Sequence, residues 1–354
     1  MRLRSYTREY RKTLENQEKI KERNYTKKNG KAGDIMVKFG VDVGGTTIKT
    51  GLFEDNGRLI EKYEIPTDKT EQGRHIIDNI TEHLRIVLKE KGMEISQCRG
   101  VGIGLPGPVD SEGNILGCVN LGWGTFNIEQ EFSKKFGGLP VKAGNDATVA
   151  TLGEQRAGAG RGMKNLMMIT LGTGVGGGII NQGEIVYGTN GAAGEIGHMP
   201  VNLEETDMCN CGKRGCLEQY ASATGVVRMA KKLMDISLEN DFEKGSDKYF
   251  HTVLNRECTA KQVFDAAKAG DALAKETVES LGRYLGMALA TAACILNPEC
   301  IVIGGGVSRA GEILIREVEK NFNELVFGPC RNVKFMLAEL GNDAGIYGAA
   351  ALIN

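Results

Sequence analysis

The chain has 354 residues, of which 41% are hydrophobic and 25% charged, with a formal net charge of -1 at pH 7. That length fits two domains of roughly 150 residues, and the near-zero charge argues against a nucleic-acid partner. No apolar run reaches the roughly 18 residues that a membrane span needs, and the polar N-terminus lacks the apolar core of a secretory signal, so the expected location is the cytoplasm.

Residues 1–35 are rich in Lys, Arg and Glu and poor in apolar side chains. They cannot bury enough surface to fold alone and read as a charged leader, either a solvated helix or a disordered arm. Starting the chain at Met36 is expected to leave activity and melting temperature almost unchanged. The pattern changes at Val37–Val43, a short apolar run that reads as a strand and meets the turn Gly44-Gly45-Thr46-Thr47. Ile48–Phe53 reads as a second strand, with Asp55-Asn56-Gly57 as the hairpin signal before a third. A helix is expected over Ile76–Lys91, a buried strand over Gly100–Leu105 ending in Pro106-Gly107-Pro108, and a short strand over Val141–Gly144. Asn145-Asp146 follows, and Ala147–Arg156 reads as a helix.

The opening then recurs. Leu166–Leu171 is apolar, Gly172-Thr173-Gly174 turns it, Gly176–Ile180 returns, and Asn181-Gln182-Gly183 is again a hairpin signal. The first strands of the two copies end at Val43 and Leu171, 128 residues apart, so the chain reads as a duplicated half-domain. The expected division is an N-terminal α/β domain over 36–155 and a C-terminal α/β domain over 156–354. Helices are expected over Ala223–Met234, Thr259–Ala269 and Ala272–Leu296, with the polar stretch 237–256 as a surface insertion. Cys300–Ile303 is a buried strand ending in Gly304-Gly305-Gly306, Val333–Leu337 a last strand and Ala344–Leu352 a last helix.

The first glycine turn, Asp42 to Lys49, offers backbone amides and threonine hydroxyls to an anion, and a strand-end carboxylate that can hold hydrated Mg²⁺. A plain hairpin turn explains it equally well, and it is not a Walker A loop, because no Gly-Lys-Ser/Thr follows. The second turn has five glycines within Leu171–Gly178, and two such turns can close on one polyphosphate from both sides. Gly304–Gly306, after a strand and before a helix-like segment, can pass under a nucleotide base. Asp146, at a strand end, is either the acceptor of a hydroxyl proton or a helix N-cap.

Nine cysteines in a chain of this size do not read as a disulfide framework. Cys98, Cys118, Cys258, Cys294, Cys300 and Cys330 read as small buried hydrophobes. His198 with Cys209, Cys211 and Cys216 has the composition of a tetrahedral Cys₃His zinc site, with buried unmetallated thiols as the alternative. Such a closed site is structural. Glu195 and Glu218 flank that 198–216 loop and suit a ligand rich in hydroxyl groups.

In this order the motifs Asp42-Val43-Gly44-Gly45-Thr46, Leu105–Pro108, Asn145-Asp146, Gly172–Gly178, Glu195–His198 and Cys209–Glu218 resemble the ROK family of sugar kinases, and most closely its bacterial ATP-dependent glucokinases. The resemblance runs from about Met36 to the end. It implies an actin-like (ribonuclease H-like) two-domain fold with sugar and ATP in the cleft, a homodimer, and phosphorylation of a hexose at its 6-hydroxyl. It implies Asp146 as catalytic base and Gly107, Asn120, Asn145, Asp146, Glu195, His198 and Glu218 around the sugar. The Asp42–Lys49 turn (Gly44, Gly45, Thr46, Thr47) with Gly172, Thr173 and Gly174 would hold the phosphates, and Gly304, Gly305 and Gly306 the adenosine. Glucose is the expected sugar, with N-acetylmannosamine, mannose, fructose or allose as alternatives. A sugar-responsive DNA-binding regulator is the competing class. It is disfavoured because the leader is too short and too poor in apolar residues for the helix-turn-helix of the family's repressor branch.

Overall fold

A computed structural model describes residues 35–244 and 252–353. The leader of the sequence analysis, up to residue 34, lies outside the described residues, as does the middle of the expected 237–256 insertion. The described chain is built on two five-stranded sheets.

The first contains β1 (Val37–Val43), β2 (Thr47–Glu54), β3 (Leu59–Pro66), β4 (Cys98–Leu105) and a strand at Val141–Asn145, in the order β3-β2-β1-β4-last. β1 is central because Val37, Phe39, Val41 and Val43 give it a buried apolar face. It pairs antiparallel with β2 and parallel with β4, and Val37, Phe39 and Val41 are fully buried. β3 alternates polar and apolar residues and takes the edge. Helix α1 (Ile76–Glu90) covers this sheet with Ile76, Ile80, Leu84 and Val87 buried at helical spacing. The tiny strands β5 (Asn114–Ile115) and β6 (Phe126–Asn127) precede α2 (Ile128–Lys135), and Val141–Asn145 is β7. α3 (Asp146–Ala157) starts directly at the end of β7.

The second sheet repeats the plan with β8 (Leu166–Leu171), β9 (Val175–Asn181), β10 (Glu184–Ile185), β11 (Cys300–Gly304) and β12 (Lys334–Leu337), in the order β10-β9-β8-β11-β12. Again the first strand pairs antiparallel with the second and parallel with the fourth. The duplication is therefore one of topology as well as of sequence, with its third strand shortened to two residues. The helices of this half are α4 (Glu218–Ala221), α5 (Ala223–Lys244), α6 (Ala260–Ala269), α7 (Ala272–Leu296) and α8 (Glu312–Leu325). α5 continues ten residues beyond the expected Met234, into the stretch read as an insertion. α6 opens with a Thr259/Gln262 capping box, and the Asp271 side chain caps α7. The large core beneath them runs from Met167 and Ile169 to Leu281, Leu285 and Phe322.

The last helix, α9 (Ala344–Ala351), belongs by sequence to the C-terminal half but packs on β1, β4 and α3 of the first. Its small residues allow this. A Cβ on Gly40 would lie 2.0 Å from the Ile346 carbonyl, and one on Gly102 1.7 Å from that of Ala349, so backbone meets backbone here. Five of the six scattered cysteines are buried as expected, whereas Cys294 is exposed on α7. It stands near the C-terminal end of that helix, beside the exposed Ile295.

Candidate active site

The ends of the strands from both sheets open onto one cleft of about 1100 Å³. Ligands in open α/β sheets sit beyond strand ends, and the loops there supply the chemistry.

β7 delivers Asn145 and Asp146 to the cleft. The Asn145 side chain accepts from the amides of Ala147 (3.0 Å) and Thr148 (3.2 Å), which makes Asn145 the N-cap of α3. Its amide also donates to the Gly107 carbonyl at 3.2 Å, tying the Pro106–Pro108 turn to the site. Asp146 is thus relieved of the capping role that the sequence left open. Its side chain faces the cleft void, with one oxygen 2.7 Å from the Ala147 amide. Withdrawal from bulk water by the surrounding walls raises its carboxyl above the usual range, against the lowering effect of the Ala147 amide.

Asp42, at the end of β1, also lines the cleft. Burial pushes its carboxyl up to about 6, the Asp146 charge adds to this, and Lys49 opposes it. The Lys49 ammonium donates to the Asn342 carbonyl at 3.1 Å, so it is held across the cleft from its own strand. Gly44, Gly45, Thr46 and Thr47 lie between these two residues but are not among those that line the cleft. The turn closes on itself, with the Gly44 amide donating to the Thr47 carbonyl.

On the opposite wall, Gly172, Thr173 and Gly174 line the cleft between β8 and β9. Glu218, at the start of α4, reaches this turn and accepts from the Val175 amide at 2.9 Å. A Cβ on Gly174 would lie 2.3 Å from the Glu218 carboxylate, so any larger residue there requires Glu218 to move. Glu195, His198 and Asn120 complete this end, and the His198 Nε2 is 3.9 Å from the Glu195 carboxylate. Gly305 and Gly306 line the far end with Ser308 and Arg309, whereas Gly304 is buried as the last residue of β11.

The ladder Pro200–Cys216 and the Leu217 amide, which donates to the Met199 carbonyl, bring His198 beside the cysteine loop. One donor atom from each of His198, Cys209, Cys211 and Cys216 lies within 4.8 Å of the others. The Sγ atoms of Cys211 and Cys216 are 3.6 Å apart, close to the roughly 3.8 Å edge of a tetrahedron with 2.3 Å zinc–sulfur bonds. The His198 Nδ1 is buried without a hydrogen-bond partner. Buried polar atoms rarely stay unpaired, so this donor set fits a tetrahedral metal.

The ROK family profile matches residues 38–354. The chain belongs to the ROK family. A glucokinase of Halalkalibacterium halodurans is 45% identical over 316 residues, covering 89% of this chain and 94% of the relative. A glucokinase of Thermotoga maritima is 35% identical over 327 residues, covering 89% and 96%. Among solved structures, a ROK family glucokinase from Streptomyces griseus in complex with glucose and AMPPNP is 33% identical. It covers 90% of this chain and 99% of that one, with a TM-score of 0.68.

Sequence reasoning missed one wall of this ROK cleft. Ala338, Gly341 and Asn342, from the segment between β12 and α9, line it with Ala344 and Gly345 at the start of α9. Gly341-Asn342-Asp343 was a visible turn signal, but the group that acts toward Lys49 is a backbone carbonyl, which no side-chain pattern marks.

Proposed function

We propose that this protein transfers the γ-phosphate of ATP to the 6-hydroxyl of glucose, giving glucose 6-phosphate. The observation that carries the reading is Asp146. Its neighbour caps the helix, so its carboxylate is free to face the cleft between the glycine turns and the Glu195, His198 and Glu218 wall.

In this reading the sugar lies against Gly107, Asn120, Asn145, Glu195, His198 and Glu218, and its 6-hydroxyl donates to Asp146. The raised carboxyl of Asp146 makes it a stronger base than an ordinary aspartate. Glu218 accepts from the Val175 amide through Oε2 and from the Cys209 thiol at 3.8 Å through Oε1. A Cys209 thiolate bound to zinc would no longer donate, leaving Oε1 for sugar hydroxyls. Lys49 offsets phosphate charge and the Gly172–Gly174 turn orients the phosphates, while Gly305 and Gly306 take the adenosine. The Gly44–Thr47 turn, beside the cleft and not lining it, would reach the phosphates only by opening toward the ligand. Asp42 and its ordered surroundings would hold the Mg²⁺ that accompanies ATP, an ion that neutralises phosphate charge when bound. The 45% identical glucokinase and the glucose-bound ROK structure support glucose over other hexoses.

We assign zinc to His198, Cys209, Cys211 and Cys216, as a cross-link that fixes the loop ending at Glu218. We read the two sheets of equal order as the halves of an actin-like (ribonuclease H-like) fold, dividing near residue 155, with α9 returning to the first half. We further propose a cytoplasmic homodimer whose partners are sugar and nucleotide, not nucleic acid. None of the described helices is long and apolar enough to cross a membrane.

The test is a coupled ADP-release assay over glucose, mannose, fructose, allose and N-acetylmannosamine. Glucose should give the highest kcat/KM. A panel led by N-acetylmannosamine would overturn the substrate, and one with no turnover the enzyme class.

A further inference from the structure

The chain passes between its two sheets twice. It leaves the first sheet through residues 158–165, between α3 and β8, and returns through residues 338–343, between β12 and α9. Any relative movement of the two sheets must be absorbed at these crossovers. Glu154, on the last turn of α3, is fully buried at the point where they meet. Its Oε2 accepts from the Ala159 amide at 2.8 Å, in the first crossover, and from the Glu339 amide at 3.1 Å, in the second. Its Oε1 accepts from the Leu340 amide at 2.8 Å. One side chain therefore ties both crossovers with three hydrogen bonds to backbone.

The surroundings are shaped to this arrangement. A Cβ on Gly158 would lie 2.0 Å from the Glu154 carboxylate, and one on Gly153 2.2 Å from the Ala344 carbonyl, so α3 and α9 touch backbone to backbone beside the tie. An ion pair from Arg161 to Glu339, 3.9 Å long and solvent-exposed, spans the same two segments and adds little of its own.

Both segments continue into the cleft. α3 begins at Asp146, eight residues before Glu154. The second crossover carries Gly341 and Asn342, which line the cleft, and the Asn342 carbonyl holds Lys49. We propose that Glu154 is a positioning residue for phosphoryl transfer: by pinning the two crossovers together it sets the distance between the proton acceptor at the head of α3 and the wall that holds Lys49. Glu195, His198, Glu218 and Asn120 are carried by neither crossover, so most of the sugar wall is set elsewhere, while Asn145 and Asp146 ride on the head of α3. The proposal rests on the kinase reading above, since it assigns Asp146 and Lys49 to one reaction.

Glu154→Gln leaves one oxygen to accept and turns an NH₂ group toward backbone N–H donors that already point at it. Misplacement of reacting groups by about 1 Å costs on the order of 10²-fold in rate. For Glu154→Gln the expected outcome is a kcat about 10- to 100-fold lower and a raised KM for ATP. The calorimetric Kd for glucose should change less than kcat, because Asn120, Glu195, His198 and Glu218 are untouched. Glu154→Asp keeps the carboxylate but falls one methylene short, and its kcat should be intermediate. In the wild-type protein, hydrogen exchange at the Ala159, Glu339 and Leu340 amides should be slow and stay slow when glucose binds.

A folded Glu154→Gln variant with wild-type kcat and wild-type KM for ATP would overturn the proposal. So would fast exchange of those three amides in the wild-type protein. Should Glu154→Gln not fold, Glu154→Asp and the exchange measurement decide the matter. A wild-type protein that turns over no sugar would instead remove the kinase reading, and the exchange rates would still report whether the crossovers are pinned.

Discussion

The Glu218 carboxylate accepts a hydrogen bond from the Val175 backbone amide at 2.9 Å. The residue expected to bind sugar is thereby fastened to the glycine turn expected to bind phosphate. Gly174 sits under the same carboxylate with no room for a methyl group. Glu218→Gln keeps an acceptor but removes charge, and its larger effect should be on the KM for glucose. Gly174→Ala should displace Glu218 and distort the turn together, raising the KM for both glucose and ATP. Steady-state kinetics on the two variants separate the outcomes, and a Gly174→Ala enzyme with unchanged KM values would show that the turn tolerates the shift.

The cysteine loop makes a prediction of its own. Purified protein should carry about one zinc per chain, with bonds near 2.3 Å to sulfur and 2.1 Å to nitrogen, measurable by metal analysis and X-ray absorption. Cys211 is the exposed member of the set and touches no part of the sugar wall. Cys211→Ser should release metal and weaken glucose binding through the loop that leads to Glu218. Retention of full zinc and full sugar affinity would remove Cys211 from the ligand set.

Much of this architecture was legible in the residues. β1 and β8 announce themselves as mostly apolar runs before glycine turns, and the repetition of that unit predicts two sheets of one order. α2 escaped because Ile128–Lys135 buries only Ile128 and Phe132, too few apolar positions to show a period. Asn145 and Asp146 could not be ranked from sequence, because both residue types cap helices well. Only the direction of the Asn145 side chain decides that Asp146 is free. The Gly44–Thr47 turn looked like a phosphate cradle because glycine and threonine permit that role, but the same residues also satisfy a hairpin. The 338–345 wall and the partners of Glu154 are backbone groups, which leave no mark in side-chain patterns.

Buried His83 should shape the pH dependence of stability. It lies on α1 with Nε2 3.0 Å from the Thr50 hydroxyl and the Tyr63 ring edge-on. Burial lowers its pKa to about 4, below the unfolded value of about 6.5. Between those values the unfolded chain binds more protons, so this group's contribution is complete above about pH 6.5 and is lost as pH falls toward about 4. Thr50→Val with His83→Phe removes the titrating imidazole together with the hydroxyl bonded to it. The double variant should lose less melting temperature between pH 7 and pH 5 than the wild type. Equal losses would mean that His83 does not titrate in that window.

In the proposed mechanism Asp146 is the proton acceptor. A sugar hydroxyl is a weak nucleophile while it keeps its proton, and the protein must place that hydroxyl in line with the γ-phosphorus and accept the proton as the bond forms. Glu195 and Glu218 stand on the far wall with His198, one of them already bonded to a backbone amide. Of Asp146, Glu195 and Glu218, only Asp146 stands at a strand end, with its helix capped by another residue. Asp146→Asn keeps size and hydrogen bonding but removes the base, and kcat should fall by roughly 10²–10⁴, with the calorimetric Kd for glucose changed far less. Because withdrawal from water raises both Asp146 and Asp42, the acid limb of the wild-type rate should fall off above the ordinary carboxylate range. That limb belongs to the pair, so it should shift rather than vanish in the residual activity of Asp146→Asn. Near-normal turnover by Asp146→Asn at pH 7.5 would move the proton acceptor to another group and leave Asp146 as a residue that only shapes the cleft.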